Sequence, residues 1–282
     1  MRIGFVPHGG RRTAVEAAAK LVGWCRERGL GSRSVEDVGA DEHVGESELP
    51  EGLDLVVAVG GDGTLLRAAL MGWLADAPVL GVKVGRLGFL TEVEPEQAPE
   101  LLEGWIEGRG VREERRMALL AEPEVGDRSE WALNEVIVEK GARHRVVRLA
   151  TWVNDDYVTT FSADGVIAAT PTGSTAYSFS ARGPIVSPRL DCIVLTPVSA
   201  HMVFDRPIVL GADETVVIEV KEDEPGLLSA DGRPGIELPV GSRVRIRRAD
   251  RPARLLRRTD TESFYSKLRR KFQLPFDPTE VG

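Results

Sequence analysis

The sequence predicts an α/β domain with a parallel sheet, followed by an all-β domain. In residues 1–117, continuous apolar runs alternate with segments whose apolar residues recur at helical spacing, which indicates a parallel sheet with Rossmann-like winding. In residues 118–256, short segments of period-two alternation are separated by turn residues, a pattern typical of a β-sandwich-like domain. The last segment, 257–282, contains a short basic stretch that we expect to pack back on the first domain.

The elements of the first domain follow one another as strand and helix. Arg2–Val6 is predicted to be a strand, and Thr13–Arg28 an amphipathic helix that ends at Gly29. The acidic, turn-rich segment Gly39–Pro50 is predicted to be a loop. The remaining predicted elements are the strand Leu55–Val59, the helix Thr64–Trp73, the strand Pro78–Val82 and the helix Glu96–Glu107.

The second domain is predicted to consist of short strands. They are Ala118–Ala121, Trp131–Val138, Arg145–Val153, Tyr157–Phe161, Val166–Thr170, Cys192–Thr196, Ile208–Leu210, Thr215–Val220 and Arg243–Arg247. After them, Glu262–Lys271 is expected to form a short basic helix. Its apolar residues Phe264, Leu268 and Phe272 predict that this helix docks on the first domain.

Composition argues against several classes of function. The 282 residues are 42% hydrophobic and 28% charged, as in ordinary globular proteins, and the net charge of −8 argues against a nucleic-acid binder. We expect the basic stretch Arg243–Lys271 to be a solvated face. No apolar stretch approaches the roughly 18 residues that span a bilayer, and Met1–Val6 opens a strand rather than a signal peptide. We therefore expect a cytoplasmic protein that binds no membrane.

The two cysteines do not indicate a disulfide framework or a zinc site. Cys25 and Cys192 lie far apart and lack the spacing of metal ligands. We expect both to be small buried apolar side chains.

A glycine-rich loop follows the predicted strand Leu55–Val59. In Gly60-Gly61-Asp62-Gly63-Thr64, the glycines let backbone amides approach an anion without interference from a Cβ atom, at the end of the strand where open α/β sheets bind ligands. This predicts that the three glycines and Thr64 form a phosphate-binding loop. The Asp62 carboxylate is suited to accept a hydroxyl proton or to hold a metal. The alternative is a tight turn; no P-loop motif occurs.

Polar residues interrupt one apolar run of the β-domain. Asn134-Glu135 lies inside the predicted strand Trp131–Val138, where burial of an amide and a carboxylate costs free energy unless both are paired. A strand end or bulge there would let both converge on the diol of one ribose, which donates to the carboxylate and accepts from the amide. The alternative is a solvent-facing pair.

A second candidate loop surrounds another buried strand. Asp164-Gly165 precedes this strand, and Thr170–Tyr177 follows it with the sequence Thr-Pro-Thr-Gly-Ser-Thr-Ala-Tyr. Hydroxyls and backbone amides in a row suit a nucleotide. The Tyr177 ring is suited either to stack on a base or to fill the core.

These motifs, in this order, resemble those of the NAD kinases. The resemblance rests on Gly60–Thr64, Gly85–Thr91, Leu133–Val136, Asp164-Gly165 with Thr170–Tyr177, Gly183–Val186, Arg206–Val209 and Asp231-Gly232, and it extends to Lys271–Pro275. The Gly-Gly-Asp-Gly-Thr loop alone is shared with diacylglycerol kinases, sphingosine kinases and phosphofructokinases, whereas the Thr170–Tyr177 run is specific. The resemblance implies phosphoryl transfer from ATP, or from polyphosphate, to the 2′-hydroxyl of the adenosine ribose of NAD, giving NADP.

The resemblance also implies roles for individual residues. Asp62 would accept the proton of the 2′-hydroxyl, and Gly63 and Arg67 would line the same pocket. Asn134 and Glu135 would hold ribose or adenine edges. The other implied contacts are Asp164 on the nicotinamide side and Thr175, Ala176, Tyr177, Ser178 and Ser180 along the adenine side. A divalent metal such as Mg²⁺ and a homodimer or homotetramer are implied as well.

Three positions depart from the family pattern. Lys83 stands where many relatives carry Asn, and Arg182 where a glycine is usual. Ser162 stands where some members use Arg to meet a phosphate, so Arg145 or Arg143 would supply that contact instead. Two other functions stay open: a lipid or sugar kinase that shares the glycine loop, and a sensor that binds the dinucleotide without turnover.

Overall fold

A computed structural model describes residues 1–85, 88–126, 128–141, 146–200, 202–221 and 224–275. The chain divides into two compact units. Unit 1 combines Met1–Arg115 with the chain from Ala253 onward, and unit 2 is Arg116–Pro252.

Strands and helices alternate at the start of the chain, and strands dominate afterwards. The strands are β1 Arg2–Pro7, β2 Gly31–Ser34, β3 Glu42–His43, β4 Leu55–Gly60, β5 Val79–Lys83, β6 Val111–Arg116, β7 Leu119–Pro123, β8 Glu130–Ala132, β9 Glu135–Lys140, β10 Val147–Val153, β11 Asp156–Ala163, β12 Gly165–Ala169, β13 Cys192–Val198, β14 Ile208–Gly211, β15 Val216–Lys221, β16 Gly226–Ala230, β17 Ile236–Leu238, β18 Arg243–Arg248 and β19 Ala253–Arg258. The helices are α1 Arg12–Glu27, α2 Asp62–Ala75, α3 Ala98–Ile106, α4 Tyr177–Ser180 and α5 Phe264–Phe272, with a 3₁₀ turn at Gly173–Thr175.

Unit 1 is built on a seven-stranded sheet with the strand order β3-β2-β1-β4-β5-β19-β6. The pairings from β3 through to β19 are parallel, so the predicted parallel sheet is confirmed. The strand order reverses between β1 and β4, because the chain passes from β1 through α1 to β2 on one side and from β4 through α2 to β5 on the other. Such a reversal leaves a crevice at the carboxyl ends of the strands.

Apolar side chains of the helices cover this sheet. Strand β4 is buried along its whole length, as expected of a parallel strand covered on both faces. Helix α1 contributes Ala14, Ala18 and Leu21 to the core, and β19 contributes Leu256.

The C-terminal segment packs on unit 1, as the sequence predicts. The rings of Phe264 and Phe272 in α5 lie with their centroids 6.0 and 6.3 Å from that of Phe89. The segment that returns to unit 1 also includes β19, whose first residue is Ala253 and which pairs with β5. The segment predicted to pack on the first domain, 257–282, therefore begins four residues too late.

Unit 2 is a sandwich of two six-stranded sheets, β11-β10-β15-β18-β7-β8 and β14-β13-β12-β9-β16-β17. The strand pairings in both sheets are antiparallel. Leu149, Phe161 and Val220 of the first sheet share one core with Val138 and Ile193 of the second. The predicted β-sandwich-like domain is therefore confirmed.

The structure corrects several predicted elements. The run Trp131–Val138 is not one strand, because β8 belongs to the first sheet of unit 2 and β9 to the second, and the chain crosses between them at Leu133-Asn134. The predicted loop Gly39–Pro50 contains the short strand β3. Strands β2, β6, β16, β17 and β19 were not predicted, because each is short or rich in polar and charged residues.

Both cysteines, Cys25 and Cys192, are buried and free of any disulfide, as the sequence predicts. Burial raises the pKa of the Cys25 thiol to about 11, which makes this side chain unreactive at neutral pH. Among the described residues, no helix combines the length and the apolar character that a membrane span requires.

Candidate active site

A cavity of about 1140 Å³ opens in unit 1 at the carboxyl ends of the strands. It is lined by loops that follow four neighbouring strands: His8–Arg11 after β1, Glu36 after β2, Gly61–Thr64 after β4, and Gly85 with Gly88 after β5. This position is the crevice that the reversal of strand order between β1 and β4 creates. The predicted glycine loop therefore lies where ligands bind in open α/β sheets.

Asp62 is held at this cavity by two backbone amides of a distant loop. It is the first residue of α2; its Oδ2 accepts a hydrogen bond from Phe89 N at 2.8 Å and its Oδ1 from Leu90 N at 3.0 Å. A Cβ atom on Gly88 would lie 2.0 Å from Oδ1, so only glycine permits this approach. Each carboxylate oxygen retains acceptor capacity, and the fixed carboxylate is able to accept a further hydrogen bond or a proton.

The glycine loop also presents the start of a helix to the cavity. The first amides of α2 have no acceptor within the helix, and the helix dipole favours anions at this end. A Cβ atom on Gly61 or Gly63 would meet nothing within 4 Å, whereas one on Gly60 would lie 2.4 Å from Thr64 Oγ1. Gly61 and Gly63 thus face open space suited to a phosphate, and Gly60 and Thr64 pack against each other.

In unit 2, Asn134 and Glu135 lie where the chain crosses from the first sheet to the second, and Asp231 binds the backbone there. The Asp231 carboxylate accepts hydrogen bonds from Leu133 N at 2.7 Å, Asn134 N at 2.9 Å and Glu135 N at 3.1 Å. In return, Asp231 N donates to Glu135 O at 3.0 Å. Asp231 has a φ of 49°, a left-handed conformation that Asp tolerates better than most residues. One buried carboxylate therefore organises three consecutive amides.

The Thr170–Tyr177 segment also hydrogen-bonds to the backbone at this crossing between the sheets. Thr170 Oγ1 donates to Leu133 O at 2.6 Å, and Thr170 N donates to Asn134 O at 2.8 Å. A Cβ atom on Gly173 would lie 2.1 Å from Asn134 O, so a glycine is required there. The Thr170–Tyr177 segment is consequently packed directly on the Asn134-Glu135 segment, as one cluster.

The pKa of Glu135 is strongly raised. Burial and the negative charge of Asp231 raise its pKa to about 8, although the Tyr177 amide lowers it by a hydrogen bond. Its Oε2 is buried and has no hydrogen-bond partner among the described residues. A buried acceptor without a partner and a strongly shifted pKa are both typical of a binding or catalytic site.

The remaining predicted residues of unit 2 differ in what their side chains can reach. Asp164 forms an ion pair with Lys140. Ser178 is buried and its hydroxyl lies 3.1 Å from the Thr196 hydroxyl. Tyr177 is 42% exposed, which excludes the alternative that its ring fills the core. The others are Asn134, which is buried, Thr175 and Ala176, which are half-buried, and Ser180, which is exposed; Arg143 and Arg145 lie outside the described residues.

Two family models match the chain. The model described as the ATP-NAD kinase N-terminal domain matches residues 13–110, and that described as the ATP-NAD kinase C-terminal domain matches residues 133–258. NAD kinase 2 of Streptomyces avermitilis is 38% identical, over 96% of this chain and 94% of that protein. The chain belongs to the NAD kinase family.

Solved structures share the fold. Yeast NADH kinase, in a crystal structure complexed with NADH, superposes with a TM-score of 0.89 at 22% identity and covers 99% of this chain and 90% of its own. The NAD kinase from Archaeoglobus fulgidus, in complex with ATP, gives a TM-score of 0.73 at 25% identity, with 97% and 98% covered. An α/β unit followed by a β-rich unit is therefore an NAD kinase fold.

The structure shows the surroundings of the three residues that depart from the NAD kinase pattern. Lys83 forms an ion pair with Glu94. Arg182 has a φ of 67°, a left-handed conformation that explains why glycine is usual there and that costs a non-glycine residue about 1 kcal/mol. Ser162 lies in β11 opposite Arg148.

Several residues of the unit 1 cavity and of the unit 2 cluster were not predicted from the sequence. His8, Arg11 and Glu36 line the cavity of unit 1, but they follow strands without any motif. Lys271 lines the same cavity from α5. Asp231 belongs to the motifs that resemble those of the NAD kinases, and the Asp-Gly pair is typical of a left-handed turn. Nothing in the sequence indicates which backbone amides its carboxylate accepts.

Two carboxylates line the cavity of unit 1. Within the described ranges, no three His, Cys, Asp or Glu side chains gather in an arrangement that could hold a metal ion. Mg²⁺ is commonly held by one or two carboxylates together with phosphate oxygens and water. Asp62 and Glu36 both line the cavity and supply two carboxylates of this kind.

Proposed function

We propose that this protein transfers a phosphoryl group from ATP, or from polyphosphate, to the 2′-hydroxyl of the adenosine ribose of NAD, giving NADP. The observation that carries the proposal is the Asp62 carboxylate, fixed by Phe89 N and Leu90 N beside the glycine loop at the start of α2. A proton acceptor beside a site suited to phosphate is what phosphoryl transfer to a hydroxyl requires. Membership of the NAD kinase family supports this acceptor over a lipid or a sugar.

Asp62 is the proposed general base. A ribose hydroxyl is a poor nucleophile at neutral pH, and a positioned base typically contributes about 10²–10⁴-fold to the rate. The 2′-oxygen forms a bond to the γ-phosphorus, its proton passes to the Asp62 carboxylate, and the bond from the γ-phosphorus to the bridging oxygen breaks to release ADP. The amides of Gly61 and Gly63 would stabilise the charge on the phosphoryl oxygens.

The cluster in unit 2 is proposed to bind NAD. Asn134 and Glu135 would hold the hydroxyls or adenine edge of the dinucleotide, with the buried Glu135 Oε2 as one acceptor. Asp164 would contact the nicotinamide side. Thr175, Ala176, Tyr177, Ser178 and Ser180 would line the adenine side; the Ser178 hydroxyl is engaged with Thr196, so its part would be to shape the wall. Arg145 would contact a phosphate.

A divalent metal such as Mg²⁺ is proposed to accompany the phosphoryl donor, and when bound it neutralises phosphate charge. Because Asp62 is the proposed base, Glu36 is the cavity carboxylate that would hold the metal together with phosphate oxygens. Arg67 lines the same cavity and pairs with Glu46. A homodimer or homotetramer and a cytoplasmic location stay predictions.

The proposal is tested by a coupled assay. The protein is incubated with NAD, Mg²⁺ and either ATP or polyphosphate, and NADP is detected with glucose-6-phosphate dehydrogenase. We expect NADP to form; transfer to diacylglycerol or to a sugar instead would support the lipid or sugar kinase, and calorimetric NAD binding without turnover would support the sensor.

The role of Asp62 is tested with Asp62→Asn. We expect turnover to fall about 10²-fold or more with NAD affinity nearly unchanged, because a general base acts mainly in the transition state. Asp54→Asn, an exposed carboxylate of unit 1 that pairs with the N-terminus, is the matched control and should keep full turnover. An Asp62→Asn protein with near wild-type turnover would contradict the assignment.

A further inference from the structure

The C-terminal helix α5 packs on the loop that positions Asp62. Phe264 and Phe272 flank the ring of Phe89, and the Phe89 amide donates to Asp62 Oδ2. Phe89 therefore contacts both the C-terminal helix α5 and the Asp62 carboxylate.

Lys271 extends from this helix to the cavity itself. Its Nζ lies 4.5 Å from the centroid of the Phe89 ring, and the residue lines the same cavity as Asp62 and the glycine loop. Among the described residues, no carboxylate lies within ion-pair distance of Lys271, whereas Arg270, its neighbour in α5, pairs with Glu262. An exposed cation–π contact contributes only about 0.5–1 kcal/mol, so the ammonium group is available to a stronger anionic partner.

His8 and two arginines also line the cavity, and each arginine already has a protein partner. Arg67 pairs with Glu46, and Arg11 Nη1 donates to Val84 O at 2.9 Å. Asp62 and Glu36 add negative charge to the same cavity. A polyanion that enters needs a cation to offset these carboxylates, and Lys271 is a mobile ammonium with three donors, suited to phosphate oxygens.

We propose that Lys271, carried by the C-terminal helix, is a phosphate-binding residue of the unit 1 cavity and contacts the polyphosphate chain of the phosphoryl donor. This inference rests on the proposed function for the identity of the donor. The contact with the Phe89 ring, 4.5 Å from Nζ to the ring centroid, places the ammonium group beside the loop whose amides bind Asp62.

The test compares Lys271→Gln with Arg270→Gln, which removes the same charge from the adjacent residue of the same helix. Sodium tripolyphosphate without metal is titrated calorimetrically into each protein, and KM for ATP and kcat are measured with saturating NAD. For Lys271→Gln we expect a roughly 10- to 100-fold weaker tripolyphosphate Kd and a similar rise of KM for ATP, as expected for a lost hydrogen bond between charged groups. Arg270→Gln should change both by less than about twofold.

A conservative variant separates charge from packing. Lys271→Arg keeps the cation and should recover most of the tripolyphosphate affinity, whereas a purely structural residue would give equal losses in Lys271→Gln and Lys271→Arg. Tripolyphosphate affinities of Lys271→Gln equal to those of Arg270→Gln would overturn the inference. A wild-type protein that forms no NADP would refute the proposed function instead, and the tripolyphosphate titrations would still decide the role of Lys271.

Discussion

Replacing Glu135 by glutamine is expected to change how protein stability depends on pH. Burial and the charge of Asp231 raise the pKa of Glu135 from 4.5 to about 8 in the folded protein. In the unfolded chain the carboxylate ionises freely, so between these two values the folded state holds a proton that the unfolded state has lost. Because the folded pKa is raised, the stabilisation is fully present below about pH 4.5 and is lost as the pH rises through about 8.

The magnitude follows from the size of the shift. One pKa unit corresponds to about 1.4 kcal/mol of differential stability, and a group protonated only in the folded state gives a slope of that size per pH unit. From pH 5.5 to pH 7.5, Glu135 alone is therefore expected to lower the free energy of unfolding by about 2.5 kcal/mol. Glutamine has no proton to lose, and the Glu135→Gln protein should lack this part of the pH dependence.

The assay is urea denaturation of both proteins at pH 5.5, 6.5, 7.5 and 8.5. Coincident transitions by fluorescence and circular dichroism are required before free energies are compared, because a chain with two units need not unfold in one step. We expect the difference between Glu135→Gln and wild type to grow by about 2.5 kcal/mol in favour of the variant over the first two pH units. Glu237→Gln, an exposed carboxylate on β17 of the same sheet, controls for the loss of one charge. Parallel profiles for Glu135→Gln and wild type would refute the reasoning.

Two further substitutions test the cluster of unit 2. Asp231→Asn places an amide group where a carboxylate accepts hydrogen bonds from three backbone amides. It should lower the free energy of unfolding by about 1–3 kcal/mol and raise KM for NAD. Denaturation and steady-state kinetics measure these effects, and unchanged NAD kinetics would show that Asp231 has no part in positioning the loop. Ala176→Trp should abolish the rise in Tm that saturating NAD gives the wild type. Because Ala176 is half-buried, the ligand-free Tm of the variant should stay within a few degrees of the wild-type value. A thermal-shift assay in which the variant keeps the NAD-dependent rise would exclude Ala176 from the binding wall.

Local sequence patterns were sufficient to predict the framework of both units. Strand β4 and helix α2 were predicted because a continuous apolar run and a glycine loop leave few alternatives at that point. The candidate loops follow such strands directly, so the sequence could place Asp62 after β4 and the Thr170–Tyr177 segment after β12. Their roles in the reaction stay predictions.

Residues that depend on partners distant in sequence were not predictable. Strand β19 is rich in arginine, which suggests an exposed segment; in the structure Arg257 is buried and pairs with Glu92 and Glu114. For the run Trp131–Val138, the sequence allowed a strand end at Asn134-Glu135, but the placement of β8 and β9 in different sheets was missed for the same reason. Its apolar pattern continues across Leu133, and the residue that fixes the crossing, Asp231, lies almost a hundred positions away.

One carboxylate in each unit binds consecutive backbone amides of a distant loop, and the two carboxylates differ in their surroundings. Asp62 and Asp231 each accept consecutive backbone amides of a loop distant in sequence, from Phe89 and Leu90 in one case and from residues 133–135 in the other. Asp62 lines an open cavity, so its remaining acceptor capacity is available to a molecule that enters the cavity. Asp231 is half-buried next to Glu135, and its charge instead raises the pKa of that residue. The first arrangement suits a base that meets substrate, and the second suits a residue that positions another.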